Sequence, residues 1–251
     1  VIRGSALLLS LAAAAMSATV TEERIEHAGS RFRVVRATPK QIQVVWKDQQ
    51  GVPYRTFDQV QAAFGKRGQT VRFLMNAGIF EPGGIPSGLH VENRKTLHEL
   101  NLADAPGNFF LKPNGVFRIE GAGSERQAFI SPSESFRQRA GELRLMSSRW
   151  LECAIQSGPI LLTEGQRHPA FKDGSPNKLH RNGTGVDHKG RIVFAITERD
   201  QVVNFWDFAG LFLKLGCRNA LFLDGGISQM AANPGKPVES NRFGAMFVIA
   251  E

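Results

Sequence analysis

The chain has 251 residues, 42% of them hydrophobic and 22% charged, with a formal charge of +8 from 31 Lys and Arg against 23 Asp and Glu. This composition excludes a chain disordered over its whole length, and the length suffices for a sizeable core. The positive excess attracts anions, but no Lys/Arg-rich run gathers it into the stripe typical of nucleic-acid binders. No nucleic-acid partner is therefore expected, and the charge reads either as a solvated surface or as a field for a phosphorylated or acidic ligand.

Residues 1–18 have the pattern of a signal peptide. Arg3 precedes the apolar run Leu7–Met16, and the small residues Ala15, Ser17 and Ala18 suit a cleavage site. The run is short for a membrane span, although a retained N-terminal anchor is the competing reading. Removal of the segment leaves residues 19–251 as a periplasmic or secreted chain with no stable membrane insertion.

Within 31–48 the spacing predicts two strands, with Phe32, Val34, Ile42, Val44 and Trp46 alternating with polar residues. A helix is expected over Phe57–Phe64, ended by Gly65 and Gly68. The apolar run 71–80 breaks at Asn76-Ala77-Gly78, and residues 81–88, rich in Gly and Pro, read as a loop. Residues 108–119 suggest a hairpin turning at Pro113-Asn114-Gly115. Partial helix is expected in 131–150, then buried strands at Cys153–Ile155, Ile160–Leu162 and Arg191–Thr197. Asn204–Gly216 is the clearest helix: Asn204 is a cap, Asp207 suits the positive first turn, and Phe208, Leu211, Phe212 and Leu215 form one stripe. Strands at Asn219–Leu223 and Phe243–Ala250 complete the chain. Strands and helices alternate irregularly, which predicts an α+β single domain with a mixed β-sheet and packed helices. Cys153 and Cys217 sit in apolar stretches and read as buried free thiols, with a disulfide as the alternative in an exported protein. Two cysteines without nearby histidines make no zinc site, so neither metal nor cofactor is expected.

Four segments place small or polar residues beside a hydrophobic run: Asn76 to Phe80, Gln156-Ser157-Gly158-Pro159, His180 to Gly185, and Asp224-Gly225-Gly226-Ile227-Ser228. Glycines there admit a ligand close to the backbone and leave amides free for anions. Asp224 follows the apolar Ala220–Leu223. It reads as a nucleophile, a base or a stabiliser of sugar-ring charge, or else as a turn-forming Asp-Gly. Arg181, beside Gly183 and Gly185, has the chemistry of a phosphate clamp or of a surface turn residue. Asn76 can both donate and accept, as sugar hydroxyls require, or simply tolerate a left-handed turn. Candidate catalytic residues are thus Asp224, Asn76 and Arg181. Candidate substrate contacts are Gly78, Gln156, Ser157, Gly158, Asn182, Gly183, Gly185, Gly225, Gly226 and Ser228. His168 and His180 are candidates for proton transfer or for structure. Asp187, Glu198 and Asp207 are candidates for a second carboxylate.

Taken in order, these segments resemble the phosphodiester glycosidase domain family. The resemblance also rests on Pro86–Leu89, Asn108–Phe110, Asn114-Gly115, His168–Phe171, Arg181–Val186, Asn204–Ala209 and Ala220–Ser228. The family includes an enzyme that removes N-acetylglucosamine from a phosphate-linked mannose, and the match is closest to a bacterial branch described as a domain of unknown function. The resemblance implies an exported hydrolase acting on a sugar-phosphodiester bond, with a pocket near the Asp224 strand end. Ile227 stands where the better-studied branch more often has a small residue, which reshapes the pocket wall. Two alternatives remain: a non-catalytic exported protein binding a glycan or cell-wall fragment, and a metal-dependent phosphodiesterase. The latter lacks a His/Asp cluster with metal-ligand spacing.

Overall fold

The computed structural model describes residues 19–143 and 150–251. The predicted signal segment, residues 1–18, lies outside the described residues, as do residues 144–149 within the predicted partial helix. In chain order the strands are β1 (Glu22–His27), β2 (Ser30–Ala37), β3 (Gln43–Val45), β4 (Val71–Asn76), β5 (Phe80–Glu81), β6 (Ile85–Pro86), β7 (His90–Glu92), β8 (Lys95–His98), β9 (Gly115–Glu120), β10 (Gln127–Pro132), β11 (Leu151–Ser157), β12 (Ile160–Thr163), β13 (Gln166–Arg167), β14 (Asn182–Asp187), β15 (Ile192–Thr197), β16 (Cys217–Asp224), β17 (Met230–Ala232) and β18 (Met246–Ala250). Helix α1 (Phe57–Gly65) precedes β4, α2 (Ser133–Leu143) follows β10, and α3 (Phe205–Lys214) joins β15 to β16.

The fold is α+β. A seven-stranded sheet runs β1-β2-β15-β14-β16-β12-β13, a five-stranded sheet β10-β9-β11-β7-β8, and a four-stranded sheet β17-β4-β18-β3. Side-chain alternation gives the large sheet two buried faces. Phe32, Val34, Phe222 and Ala195 pack under α3, while Val35, Phe194, Leu221 and Leu223 face the other sheets. There Phe194 meets Phe73 at 5.0 Å and Phe247 at 4.9 Å. Each such ring contributes roughly 1.5–3 kcal/mol by leaving water, so this aromatic seam fixes how the sheets sit against each other. Helix α1 covers the far side of the four-stranded sheet, and Phe136 of α2 packs with the five-stranded one.

Helix α3 forms for the reasons its sequence suggests. Asn204 Oδ1 accepts the Asp207 amide at 2.8 Å, Lys214 occupies the last turn, and Gly216 takes φ +83°. The expected mixed sheet is corrected: all strand pairings among the described residues are antiparallel. The reason is the crossover. The β15–α3–β16 unit skips one sheet position, and β14 fills the gap running the other way.

Two local expectations are also corrected. Residues 108–119 make no hairpin: Asn108–Phe110 is a single 3-10 turn, and β9 starts at Gly115 and pairs with β10 and β11. Phe109 is buried, and Asn114 Nδ2 donates to its carbonyl at 2.9 Å, so this carbonyl is satisfied without a partner strand. Gly183 and Gly185, read above as leaving amides free for an anion, lie inside β14, a central strand paired on both sides. Cys153 and Cys217 are free and buried, and burial pushes both thiols up to about 12, so they remain protonated and inert.

Candidate active site

The sheet edge near Asp224 collects strand ends. In the antiparallel ladder Asn182 pairs with Asp224 on one side and with Ile196 on the other, so β14 starts where β15 and β16 stop. Asn76, the last residue of β4, approaches from the four-stranded sheet. The side chains then lock together. Asn182 Nδ2 donates to the Asn76 carbonyl at 3.0 Å and to Asn76 Oδ1 at 3.1 Å, while Asn182 Oδ1 accepts the Asp224 amide at 2.8 Å. Asn76 Oδ1 also accepts the Gln229 amide at 2.9 Å, and Asn76 Nδ2 reaches Ser228 Oγ at 3.4 Å. Both asparagines are buried, and their amide oxygens are used in holding the backbone on either side of the turn 224–229. They are positioning residues: they fix where Asp224 stands.

Asp224 itself is only partly buried. Its Oδ1 accepts the Gly225 amide at 2.7 Å, and among the described residues its Oδ2 has no partner. Burial raises its carboxyl to about 6, and the Gly225 hydrogen bond offsets this only in part. A Cβ on Gly226 would meet nothing within 4 Å, and one on Gly225 would come no closer than 3.9 Å. Among the glycines predicted as substrate contacts, these two leave a ligand room. Ile227, 38% exposed, stands on the rim.

The other predicted contacts are packed. A Cβ on Gly78 would lie 2.7 Å from the Gln156 carbonyl oxygen, and one on Gly158 would lie 2.7 Å from Asn114 Cβ. On Gly183 it would lie 3.1 Å from Phe208, and on Gly185 2.7 Å from Cys217 Sγ. All four glycines therefore serve close packing in this arrangement. Gln156 accepts from the Leu89 and Asn101 amides and donates to the Asn101 carbonyl and Ser133 Oγ, which occupies its side chain in loop closure. Ser157 Oγ donates to the Leu223 carbonyl at 2.9 Å and accepts the Ile79 amide at 3.3 Å, so it braces β16 from behind.

Arg181 is fully buried. Its Nε donates to the Val203 carbonyl at 2.8 Å and its Nη2 to the Asn177 carbonyl at 3.2 Å, and its guanidinium lies 3.7 Å from the Phe205 ring centre. Nη1 is buried without a partner, and burial lowers the group to about 10. The expected open fork toward a ligand is thus replaced by a covered cation that pins residues 177 and 203, because position 181 faces the aromatic layer around α3.

His168 is buried and stacked on Phe171 at 4.8 Å, and it accepts the Ala170 amide, a structural placement. His180 belongs to the site: Nε2 donates to the Ser228 carbonyl at 3.0 Å, which leaves Nδ1 to accept from Thr197 Oγ1 at 2.7 Å. Of the three further carboxylates, Asp187 lies at the opposite end of β14, Glu198 pairs with Arg24 and Arg31, and Asp207 occupies the first turn of α3. None is hydrogen-bonded to the Asp224 cluster. Thr197 and Gln229 are site residues that the sequence did not single out. The signal for Thr197 was a polar residue ending an apolar strand, the same pattern that flagged Asp224. Among the described residues no group of three or more His, Cys, Asp or Glu is placed to hold a metal ion.

Residues 69–246 match the phosphodiester glycosidase family, and the chain belongs to that family. It is 32% identical over 200 residues to the Escherichia coli K12 protein named uncharacterized protein YigE, a match covering 78% of this chain and 71% of that protein. The zebrafish N-acetylglucosamine-1-phosphodiester alpha-N-acetylglucosaminidase catalytic domain, auto-inhibited by its pro-peptide, shares the fold with a TM-score of 0.63 at 14% identity, over 94% of this chain and 84% of that one. A hypothetical protein from Synechocystis aligns with a TM-score of 0.54 at 14% identity, over 92% of this chain and 62% of that one.

Proposed function

We propose that this chain is an exported hydrolase that cleaves the bond between a sugar C1 and a phosphate oxygen in an anionic sugar-phosphodiester. The observation that carries the reading is Asp224, a carboxyl with one open oxygen, raised to about 6 by burial, at the end of a strand inside the family match. Near neutral pH it is ionised and poised to stabilise positive charge on the ring. As the C1–O bond breaks, its electron pair leaves on the phosphate oxygen, which needs little protonation. Water adds at C1 and gives its proton to Asp224. The reading therefore needs only one carboxylate. The Gly225 and Gly226 backbone has room for the phosphate, Asn76, Asn182 and Ser228 hold the turn, and Arg181 acts by pinning the residues behind it. Export is proposed from the Arg3, Leu7–Met16 and Ala18 pattern.

The test is a panel of sugar-1-phosphodiesters incubated with the purified full chain, with products identified by mass. Release of free sugar and a phosphate monoester, lost in Asp224→Asn, is the expected result. Saturable binding without release across the panel would instead make the chain a glycan-binding protein.

A further inference from the structure

Beside the Ser228 turn lies a cavity of about 300 Å³ lined by Arg33, His180, Thr197, Arg199, Ser228 and Gln229 together with apolar residues. It shares Ser228 and His180 with the Asp224 cluster, and Ser228 Oγ is the group that Asn76 Nδ2 touches. Among the described residues no Asp or Glu lines it. The donors around it are unevenly used. Arg33 is bound by Glu22 through Nε and Nη2 at 2.8 and 2.6 Å and gives Nη1 to the Met230 carbonyl, so its charge is answered. Arg199 is exposed, and among the described residues no carboxylate pairs with it. Its neighbours Glu198 and Asp200 are both taken by Arg31. Gln229 Oε1 accepts the Asn241 amide at 2.6 Å, which orients the side chain and leaves both Nε2 hydrogens without an acceptor among the described residues.

The walls thus hold an unanswered guanidinium and a fixed primary amide. Both are donors, and they lie next to the candidate reaction centre. An anion supplies the acceptors that this donor set lacks, and a charge-assisted hydrogen bond to a guanidinium is among the stronger ones available. We infer that this cavity is a subsite for a second anionic group, a phosphate monoester, with Arg199 and Gln229 as its recognising residues. The site takes either free inorganic phosphate or a phosphate carried on the leaving portion of the substrate. The second case rests on the hydrolase reading above and makes the preferred substrate a phosphodiester whose leaving portion carries an additional phosphate.

Two arms separate these dependencies. In the first, inorganic phosphate is titrated calorimetrically into the full chain, the Arg199→Gln variant and the Asp224→Asn variant. Saturable binding that weakens about tenfold in Arg199→Gln and survives in Asp224→Asn is expected. Equal affinity in wild type and Arg199→Gln, or no binding to either, overturns the subsite. In the second, kcat/KM is compared for two sugar-1-phosphodiesters that differ only by a phosphate on the leaving portion. The preference for the doubly charged substrate should fall about tenfold in Arg199→Gln, and an unchanged preference overturns the substrate assignment. If no phosphodiester is cleaved yet Arg199-dependent phosphate binding remains, the subsite stands and the hydrolase reading fails. Turnover together with phosphate binding that is equally indifferent to Arg199 removes the subsite and leaves the hydrolase reading standing.

Discussion

Two aspartates mark the two ends of one strand ladder. Asp224 faces Asn182 at one end of the β14–β16 pair, and Asp187 faces Cys217 at the other. Asp187 has a fully buried side chain and accepts from the Lys189 and Arg191 amides and from the Arg191 guanidinium. Burial alone would raise it, but these donors outweigh burial and hold it below the ordinary carboxylate value. Asp224 is less buried and has a single amide, so burial wins and lifts it to about 6. Depth therefore does not decide which of the two carboxyls is raised and which is depressed. The number of donors supplied does.

The comparison breaks first at activity. On the proposed role, Asp224→Asn removes an electrostatic contact to the transition state and should lower turnover by about a hundredfold or more while the fold survives. Asp187→Asn should leave the rate per folded molecule within about threefold of wild type, since it touches no part of the candidate site. Comparable rate losses in the two variants, scaled to folded protein, would erase the distinction.

A pH–rate profile sharpens it. If ionised Asp224 is required, kcat/KM should fall about tenfold per pH unit below about 6. A flat profile between pH 5 and 8, in a range where the protein stays folded, removes Asp224 from the ionised role.

Stability should move in opposite directions. Asp224 has a folded value above its ordinary 3.8, so its ionised form costs stability, by about 3 kcal/mol at most. That cost is absent below pH 3.8, grows between 3.8 and about 6, and is constant above. Asp224→Asn should therefore stabilise the protein by about 1–3 kcal/mol at pH 8, with the gain vanishing near pH 4. The folded value of Asp187 is depressed, so its contribution is present above the ordinary carboxylate value and lost as pH falls through the folded one. Asp187→Asn should cost about 2 kcal/mol at pH 7 and progressively less in acid. Denaturant midpoints across pH check both signs.

The smallest effect concerns β14 between the two ends. A methyl on Gly185 would sit 2.7 Å from Cys217 Sγ and 2.8 Å from Phe212, so Gly185→Ala should lose about 1–3 kcal/mol of stability with little change in the rate per folded molecule. A variant as stable as wild type but slow would return Gly185 to substrate contact.

Much of this was legible in the chain. The α3 stripe and its Asn204 cap, the α1 span and the buried strand ending at Asp224 follow from periodicity and capping, which act over a few neighbouring residues. Asn76, Asn182, Asp224 and Ser228 could be nominated because polar residues beside apolar runs are conspicuous. β14 could not. Its Asn-Gly-Thr-Gly has the composition of a turn, and only the approach of Phe208 and Phe212 from α3 makes glycine the residue that a central strand needs there.

The α+β class, the family and the set of polar residues from which a site is built thus follow from the order of amino acids, since they rest on local pattern and on the succession of motifs. Where each of those residues stands and what it touches was decided only by folding. The packed chain turned Arg181 inward onto Phe205, spent Gln156 on loop closure, moved Asp187 to the far end of the sheet and left one oxygen of Asp224 open. The physical reason is that charge, burial and donor count at a residue are set by neighbours distant in sequence, such as Asn182 to Asp224 and Asn76 to Gln229.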